Sequence, residues 1–200
     1  MGEQYFTQDP SVESNRQKIQ LSLRGKELKF YTDNGVFSKN MIDYGSKLLI
    51  EHMEIPSSGK ILDVGCGYGP IGLCAASIEK SCNVTMIDVN ERAIGLAKEN
   101  AVLNHISNVE IYRSDIYNRL EAGQKYDVIL TNPPIRAGKE VVHSIFSGAV
   151  ERLNDGGLLW VVIQKKQGAP SAFEKLESLF STVEEVSKKK GYKIFKAINV

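Results

Sequence analysis

Cysteine is scarce here, three in 200 residues, and Cys66, Cys74 and Cys82 are odd in number and lack CxxC spacing. That argues against a disulfide framework and against a structural zinc site. Histidine is as rare, and His52, His105 and His143 are too scattered to suggest a metal cluster. No apolar run approaches the ~20 residues that a membrane helix requires. The opening MGEQYFTQDP lacks the basic start and apolar core of a secretory signal. Phe6 stands where a myristoylation motif wants Ser or Thr. A cytoplasmic protein with no membrane partner and no bound metal is expected. A strong charge of one sign is missing too, the net being +1. The exception is local: from Trp160 to Val200 eight lysines face four glutamates, a net of +4. Such a segment permits an anionic partner without requiring one.

What is present suits one globular domain. Apolar residues make up 42% and charged residues 24% of the chain, and a chain of this length buries most of its unfolded surface. Residues 1–15 are polar, carry no period and are expected to form a loose arm. Ile19, Leu21 and Leu23 alternate before Arg24-Gly25-Lys26, and Leu28 and Phe30 after it, which predicts two short strands and a turn. Ser38 or Asn40 is expected to cap a helix running to about Met53.

From Lys60 onward the pattern is regular. Ile61 to Val64, Val84 to Asp88, Val109 to Tyr112 and Tyr126 to Leu130 read as buried strands, with helices opening at Pro70 and Asn90 between the first three. A helix over Lys139 to Leu153 leads through a predicted turn, Asn154-Asp155-Gly156-Gly157, into a fifth strand, Leu158 to Ile163. Strands apolar throughout and alternating with helices predict a parallel sheet covered on both faces. After a helix near Ala172 to Phe180, Thr182 to Ser187 and Tyr192 to Ile198 alternate with only Lys188 to Gly191 between them. So short a link forces an antiparallel hairpin.

Asp63-Val64-Gly65-Cys66-Gly67-Tyr68-Gly69 connects the first of these strands to its helix. Glycines there let a nucleotide approach the backbone. Gly67, Gly69 and Gly72 also satisfy GxGxxG, with Asp88 about 20 residues on, so a dinucleotide is a competing ligand. Two features of the loop favour S-adenosylmethionine. The tight-turn glycine directly after the strand is Gly65, and Asp63 would repel a pyrophosphate while favouring an ammonium or sulfonium. Asp88, with Val89, is then the candidate acceptor for ribose hydroxyls. Asp115 and the Ile116 backbone are candidates for the adenine edge.

A second loop, Thr131-Asn132-Pro133-Pro134, follows the fourth parallel strand and has no counterpart in hydride-transfer enzymes. Its prolines fix the backbone, which leaves the Asn132 amide oxygen and the Pro133 carbonyl as rigid acceptors for the two hydrogens of an exocyclic amine. Orientation and preorganised dipoles would then aim the nitrogen lone pair at a methyl group.

DVGCGYG, Asp88, Ser114-Asp115-Ile116-Tyr117 and TNPP resemble class I S-adenosylmethionine-dependent methyltransferases that act on amino groups. Gly35-Val36-Phe37-Ser38, Asp43-Tyr44-Gly45-Ser46 and NPPIRAGK more closely resemble the RsmC type, in its single-domain YbxB-like form. The resemblance runs from about Phe30 to the C-terminus. It implies a three-layer α/β/α Rossmann-like fold, a seven-stranded, mostly parallel sheet in the order 3-2-1-4-5-7-6 with strand 7 antiparallel. It also implies S-adenosylmethionine as methyl donor, S-adenosylhomocysteine as product, and guanine N2 in 16S rRNA, free or in the 30S subunit, as target. Residues 1–55 would form an extension covering the site and residues 56–200 the methyltransferase core. Phe37 would lie near the cofactor or target base. Ile135 departs from the pattern, because an aromatic that stacks on a flipped base commonly follows Asn-Pro-Pro. Arg136 and Lys139 are then candidates for holding phosphate. Glutamine amide nitrogen or adenine N6 in DNA would suit the same Asn-Pro-Pro device, and a non-catalytic module binding cofactor and RNA would need only the glycine loop and the basic tail.

Overall fold

The structure, a computed structural model, describes residues 12–38 and 40–200. The expected loose arm, residues 1–15, lies mostly outside the described residues. Strands β1 (Gln17–Leu23) and β2 (Lys26–Thr32) form an antiparallel hairpin in which Leu23 pairs with Lys26. Helix α1 (Tyr44–His52) follows. Then come β3 (Gly59–Val64), α2 (Pro70–Ile78), β4 (Cys82–Asp88), α3 (Glu91–Leu103), β5 (Val109–Arg113) and β6 (Tyr126–Thr131). The chain closes with α4 (Lys139–Arg152), β7 (Leu153–Gln164), α5 (Ala169–Leu179), β8 (Thr182–Lys189) and β9 (Tyr192–Ile198).

The second sheet has seven strands in the order β5-β4-β3-β6-β7-β9-β8. β9 alone runs opposite to the other six strands. Counted from β3, this is the expected 3-2-1-4-5-7-6 arrangement of the Rossmann-like methyltransferase fold.

Strand side chains alternate between two apolar clusters. Ile61, Val128, Leu130, Trp160 and Val162 face α1, α2 and α3, while Leu62, Val64, Ile129, Leu159, Val161 and Ile163 face α4 and α5. Each such buried side chain contributes about 2 kcal/mol of transfer free energy. Leu23, Leu28, Phe30 and Leu49 join the first cluster, so β1, β2 and α1 share its apolar contacts. Polar ties hold them as well. Asn100 of α3 accepts from Tyr31 N at 2.6 Å and donates to Tyr68 O in the glycine loop at 2.9 Å. Arg24 donates to Met53 O at 2.6 Å, clamping the end of α1.

Two local expectations are corrected. Neither Ser38 nor Asn40 caps α1. Ser38 has φ 56° and its hydroxyl donates to Met41 O, so the chain is still turning there. Asp43 is the cap, its carboxylate accepting from Ser46 N at 3.0 Å. The predicted turn Asn154–Gly157 lies instead within β7 as an irregularity, since Tyr126 pairs with Leu153 and Val128 with Leu158. Gly156 N donates to Asn199 O and Asn199 N to Gly157 O, at 2.6 and 2.9 Å, which keeps the segment in the sheet.

Candidate functional site

β3 stops being a strand at Gly65, which has φ 75°, and Gly67 follows at 56°; both lie in the left-handed region that glycine enters freely. Gly65 N and Cys66 N donate to Ile87 O at the end of β4, at 2.8 and 3.0 Å. Gly67 N donates to Asp88 Oδ2 at 2.8 Å. The loop is thus pinned to the neighbouring strand before α2 begins. A Cβ built on Gly65 or Gly67 meets no protein atom within 4 Å, because both face an open cavity. At Gly72 a Cβ would lie 2.9 Å from Asp63 Oδ2 and 2.8 Å from Met86. Only glycine lets α2 approach β3 this closely.

Asp63 is wholly buried. Its Oδ2 accepts from Gly72 N at 2.8 Å, and its Oδ1 is buried without a partner among the described residues. Burial pushes its carboxyl up to about 7, the Gly72 N–H opposing this and the Asp88 charge adding to it. Asp63 does not itself line the cavity that Gly65 and Gly67 face, so its charge would favour a cationic group there over a pyrophosphate without touching it.

Asp88 has two jobs. Its Oδ2 braces Gly67 and its Oδ1 accepts from Asn90 N at 2.9 Å, yet each oxygen keeps a lone pair for a hydroxyl. Burial holds its carboxyl above the usual range against those N–H bonds. Asp115 is exposed at the cavity rim, where Ser114 N donates to Asp88 O at 2.9 Å, and Ile116 turns with φ 47°. Val89, Asp115 and Ile116 all line the cavity, whose volume is about 180 Å3.

The Asn-Pro-Pro loop meets this cavity from the β6 side. Thr131 donates to Val64 O at 2.9 Å, locking the end of β6 to the end of β3. Asn132 Nδ2 donates to Asp43 Oδ2 at 3.0 Å and to Ser46 Oγ at 2.9 Å. A carboxylate only accepts, so the amide must turn its nitrogen to Asp43 and its oxygen away. Tyr192 of β9 donates to the other Asp43 oxygen at 3.2 Å, and burial together with Asp43 raises its phenol to about 12. A Cβ on Gly45 would lie 2.7 Å from the Tyr192 ring and 2.8 Å from Asp43 Oδ2, so the arrangement has no slack. Pro134 O accepts from Ala137 N at 2.9 Å and belongs to the following turn.

Asn132 and Pro133 line both the inner cavity and an outer depression of about 550 Å3. Phe37 lines both as well, carried by a loop that Asn90 holds through Gly35 O at 2.8 Å. Pro134 lines the inner space, Ile135 and Arg136 the outer one, and Lys139 lines neither. Sequence reasoning gave no role to Asp43, Ser46 or Tyr192. Asp43 and Ser46 entered only as part of the Asp43-Tyr44-Gly45-Ser46 resemblance, with no role attached, and Tyr192 only as a strand residue.

Set on this sheet order, such a site places the chain among the S-adenosylmethionine-dependent methyltransferases. More narrowly, the Methyltransferase small domain model matches residues 27–196, and the chain belongs to that family. It is 57% identical, over the whole of both chains, to the uncharacterized protein YbxB of Bacillus subtilis (strain 168). It is 31% identical to ribosomal RNA small subunit methyltransferase C of Erwinia tasmaniensis, over 86% of this chain and 50% of that one. The chain thus spans about half the length of that relative. Among solved structures, the Thermus thermophilus 16S rRNA N2 G1207 methyltransferase (RsmC) in complex with AdoMet and guanosine shares the fold. The TM-score is 0.83 at 24% identity, covering 96% of this chain and 52% of that one. No helix among the described residues is long and apolar enough to cross a membrane.

Proposed function

We propose that this protein methylates the exocyclic N2 of a guanosine in 16S rRNA. One observation carries the reading. Asn132 is held through its Nδ2 by Asp43 and Ser46, so its Oδ1 is turned toward the two cavities as an acceptor. Together with the Pro133 carbonyl it offers two acceptors to an amine that has two hydrogens. When bound, S-adenosylmethionine supplies an electrophilic methyl on a sulfonium and leaves as S-adenosylhomocysteine. Gly65 and Gly67, which line the cavity, would hold its amino-acid end with the buried Asp63 charge nearby, Asp88 and Val89 its ribose, and Asp115 and Ile116 its adenine; Gly69, expected at the cofactor, packs against Leu73 and Met86 instead.

Asn132 and Pro133 orient the amine, and Pro134 stiffens their backbone. No strong base is needed at the nitrogen, because its acidity rises as the new N–C bond forms; preorganised acceptors provide the rate. Position 135 offers no aromatic. Phe37 and Tyr192 both face the outer depression, and we assign base stacking to them, with Ile135 as an apolar wall. Arg136, which lines the outer depression, would meet phosphate, whereas Lys139 lines neither space. In the extension before residue 56, the described Phe37 loop and Asp43 would close over the site, and residues 56–200 would carry the chemistry.

The relatives named methyltransferase C support an RNA target over glutamine or DNA adenine. The test incubates the protein with tritiated methyl donor and, separately, naked 16S rRNA, 30S particles, DNA and protein extract. Label is expected in rRNA, free or in the 30S subunit. Label confined to protein or DNA would overturn the assignment, and no label anywhere would favour a binding module.

A further inference from the structure

The carboxyl edge of the large sheet is electrically divided. Its β3–β5 half carries Asp88 and Asp115 on the wall of the cofactor cavity, with Asp63 buried at the end of β3. Its other half brings lysine to the same edge. β7 ends at Gln164 and runs into the turn Lys165–Gln167, while β8 ends at Lys189 and β9 starts at Tyr192. Lys165 N donates to Gly191 O at 2.6 Å, tying that turn to the hairpin tip. Lys165, Lys166, Lys188, Lys189 and Lys190 therefore gather on one rim, all exposed. Gln164, Gln167 and Tyr192, from the same segments, line the outer depression.

Farther down the hairpin, lysines are neutralised: Lys193 pairs with Glu185 and Lys196 with Glu54. Among the described residues the five rim lysines have no carboxylate partner within 4 Å. Lys190 instead lies over the Tyr44 ring, 4.9 Å from its centroid. Lysines on an edge strand also discourage sheet-to-sheet aggregation, which accounts for Lys188 and Lys189 on β8. It does not account for Lys165 and Lys166, which follow an interior strand. Concentrating unpaired ammonium groups beside a depression costs self-repulsion that a polyanion would relieve.

We propose that the rim formed by Lys165, Lys166 and Lys188–Lys190 holds the phosphate backbone of the RNA flanking the target nucleotide. This rests on the RNA reading of the site and adds the surface that seats the substrate. The rim stands at the depression where the target base would enter, so a strand following it would deliver a flipped base inward toward Asn132.

The test replaces four lysines together, Lys165→Gln, Lys166→Gln, Lys188→Gln and Lys189→Gln, and compares this variant with the four corresponding Lys→Arg changes. Binding of a fluorescein-labelled single-stranded RNA is followed by polarisation across salt. Each lost phosphate contact lowers the salt slope by about 0.7, so four lower it by about 3, and the wild type loses roughly 50-fold more affinity than the Gln variant between 50 and 200 mM salt. The Arg variant is expected to keep the wild-type slope. Donor affinity and kcat should stay unchanged in both, with KM for 16S rRNA raised only in the Gln variant. A wild-type salt slope and KM in the Gln variant, while the wild type methylates rRNA, would overturn the rim and leave the RNA reading standing. A wild type that neither binds nor methylates RNA would overturn that reading first. Poly-glutamate bound as tightly as RNA, and lost equally in the Gln variant, would assign the rim to an acidic protein.

Discussion

Asp63→Asn separates what this carboxylate does for the fold from what it does for the ligand. Burial raises the carboxyl from 3.8 to about 7. An acid raised in the folded state binds its proton more tightly there than in the unfolded chain, so stability falls as pH rises from about 4 to about 7 and is level above that. A shift of roughly three units is worth about 4 kcal/mol at full ionisation. Asparagine keeps an oxygen for Gly72 N, 2.8 Å away in the native protein, and carries no charge to bury. Without methyl donor, the variant should be more stable than the wild type by up to about 4 kcal/mol at pH 8 and nearly equal to it at pH 4. Urea unfolding followed by tryptophan fluorescence at several pH values measures this, since Trp160 is buried in β7. Donor binding should behave oppositely: wild-type affinity strengthens as pH rises through about 7, and the variant loses both that dependence and about 2 kcal/mol, roughly 30-fold in Kd. Parallel stability curves from pH 4 to 8 would refute the reasoning, because they would mean that the charge is already compensated inside the protein.

Substitutions at three other positions probe the acceptor loop. Asn132→Ala is expected to abolish methyl transfer while donor affinity, read by calorimetry, changes less than about 3-fold, under 1 kcal/mol; full activity would end the amine-orientation model. Asp43→Ala frees the Asn132 amide to rotate and removes a helix cap worth about 1 kcal/mol, so kcat should fall at least 10-fold, whereas Asp43→Asn, which still accepts from Ser46 N and Asn132, should recover most of it. Gly45→Ala drives a methyl against Tyr192 and Asp43 and should cost about 1–3 kcal/mol of stability by thermal melting, together with kcat.

Much of the architecture was legible because it depends on local pattern. Strands such as Val128–Leu130 are apolar on both faces, which only a doubly covered parallel sheet explains. The four residues between Ser187 and Tyr192 leave no room for a crossover, so the reversed final strand followed from link length. The glycine loop and Asn-Pro-Pro were visible for the same reason, since each is a contiguous run with backbone consequences. What stayed hidden are bonds between distant positions. Asp43 meets Asn132 across 89 residues and Tyr192 across 149, and neither pairing leaves a trace in spacing. Gly156-Gly157 read as a turn because its chemistry is a turn's; Asn199, at the far end of the chain, holds it in the sheet. Asp88 read as a ligand residue, and its second role, bracing Gly67, needed coordinates.

The position of the methyl group tests the central claim most directly. Total RNA from 30S particles treated with the protein and a deuterated methyl donor can be digested to nucleosides and resolved by mass spectrometry. The account predicts deuterated N2-methylguanosine, absent when Asn132→Ala protein is used. Deuterium in a ring-nitrogen or ribose methyl, or in N6-methyladenosine, would contradict it, since neither of the first two needs paired acceptors and the third is a different target.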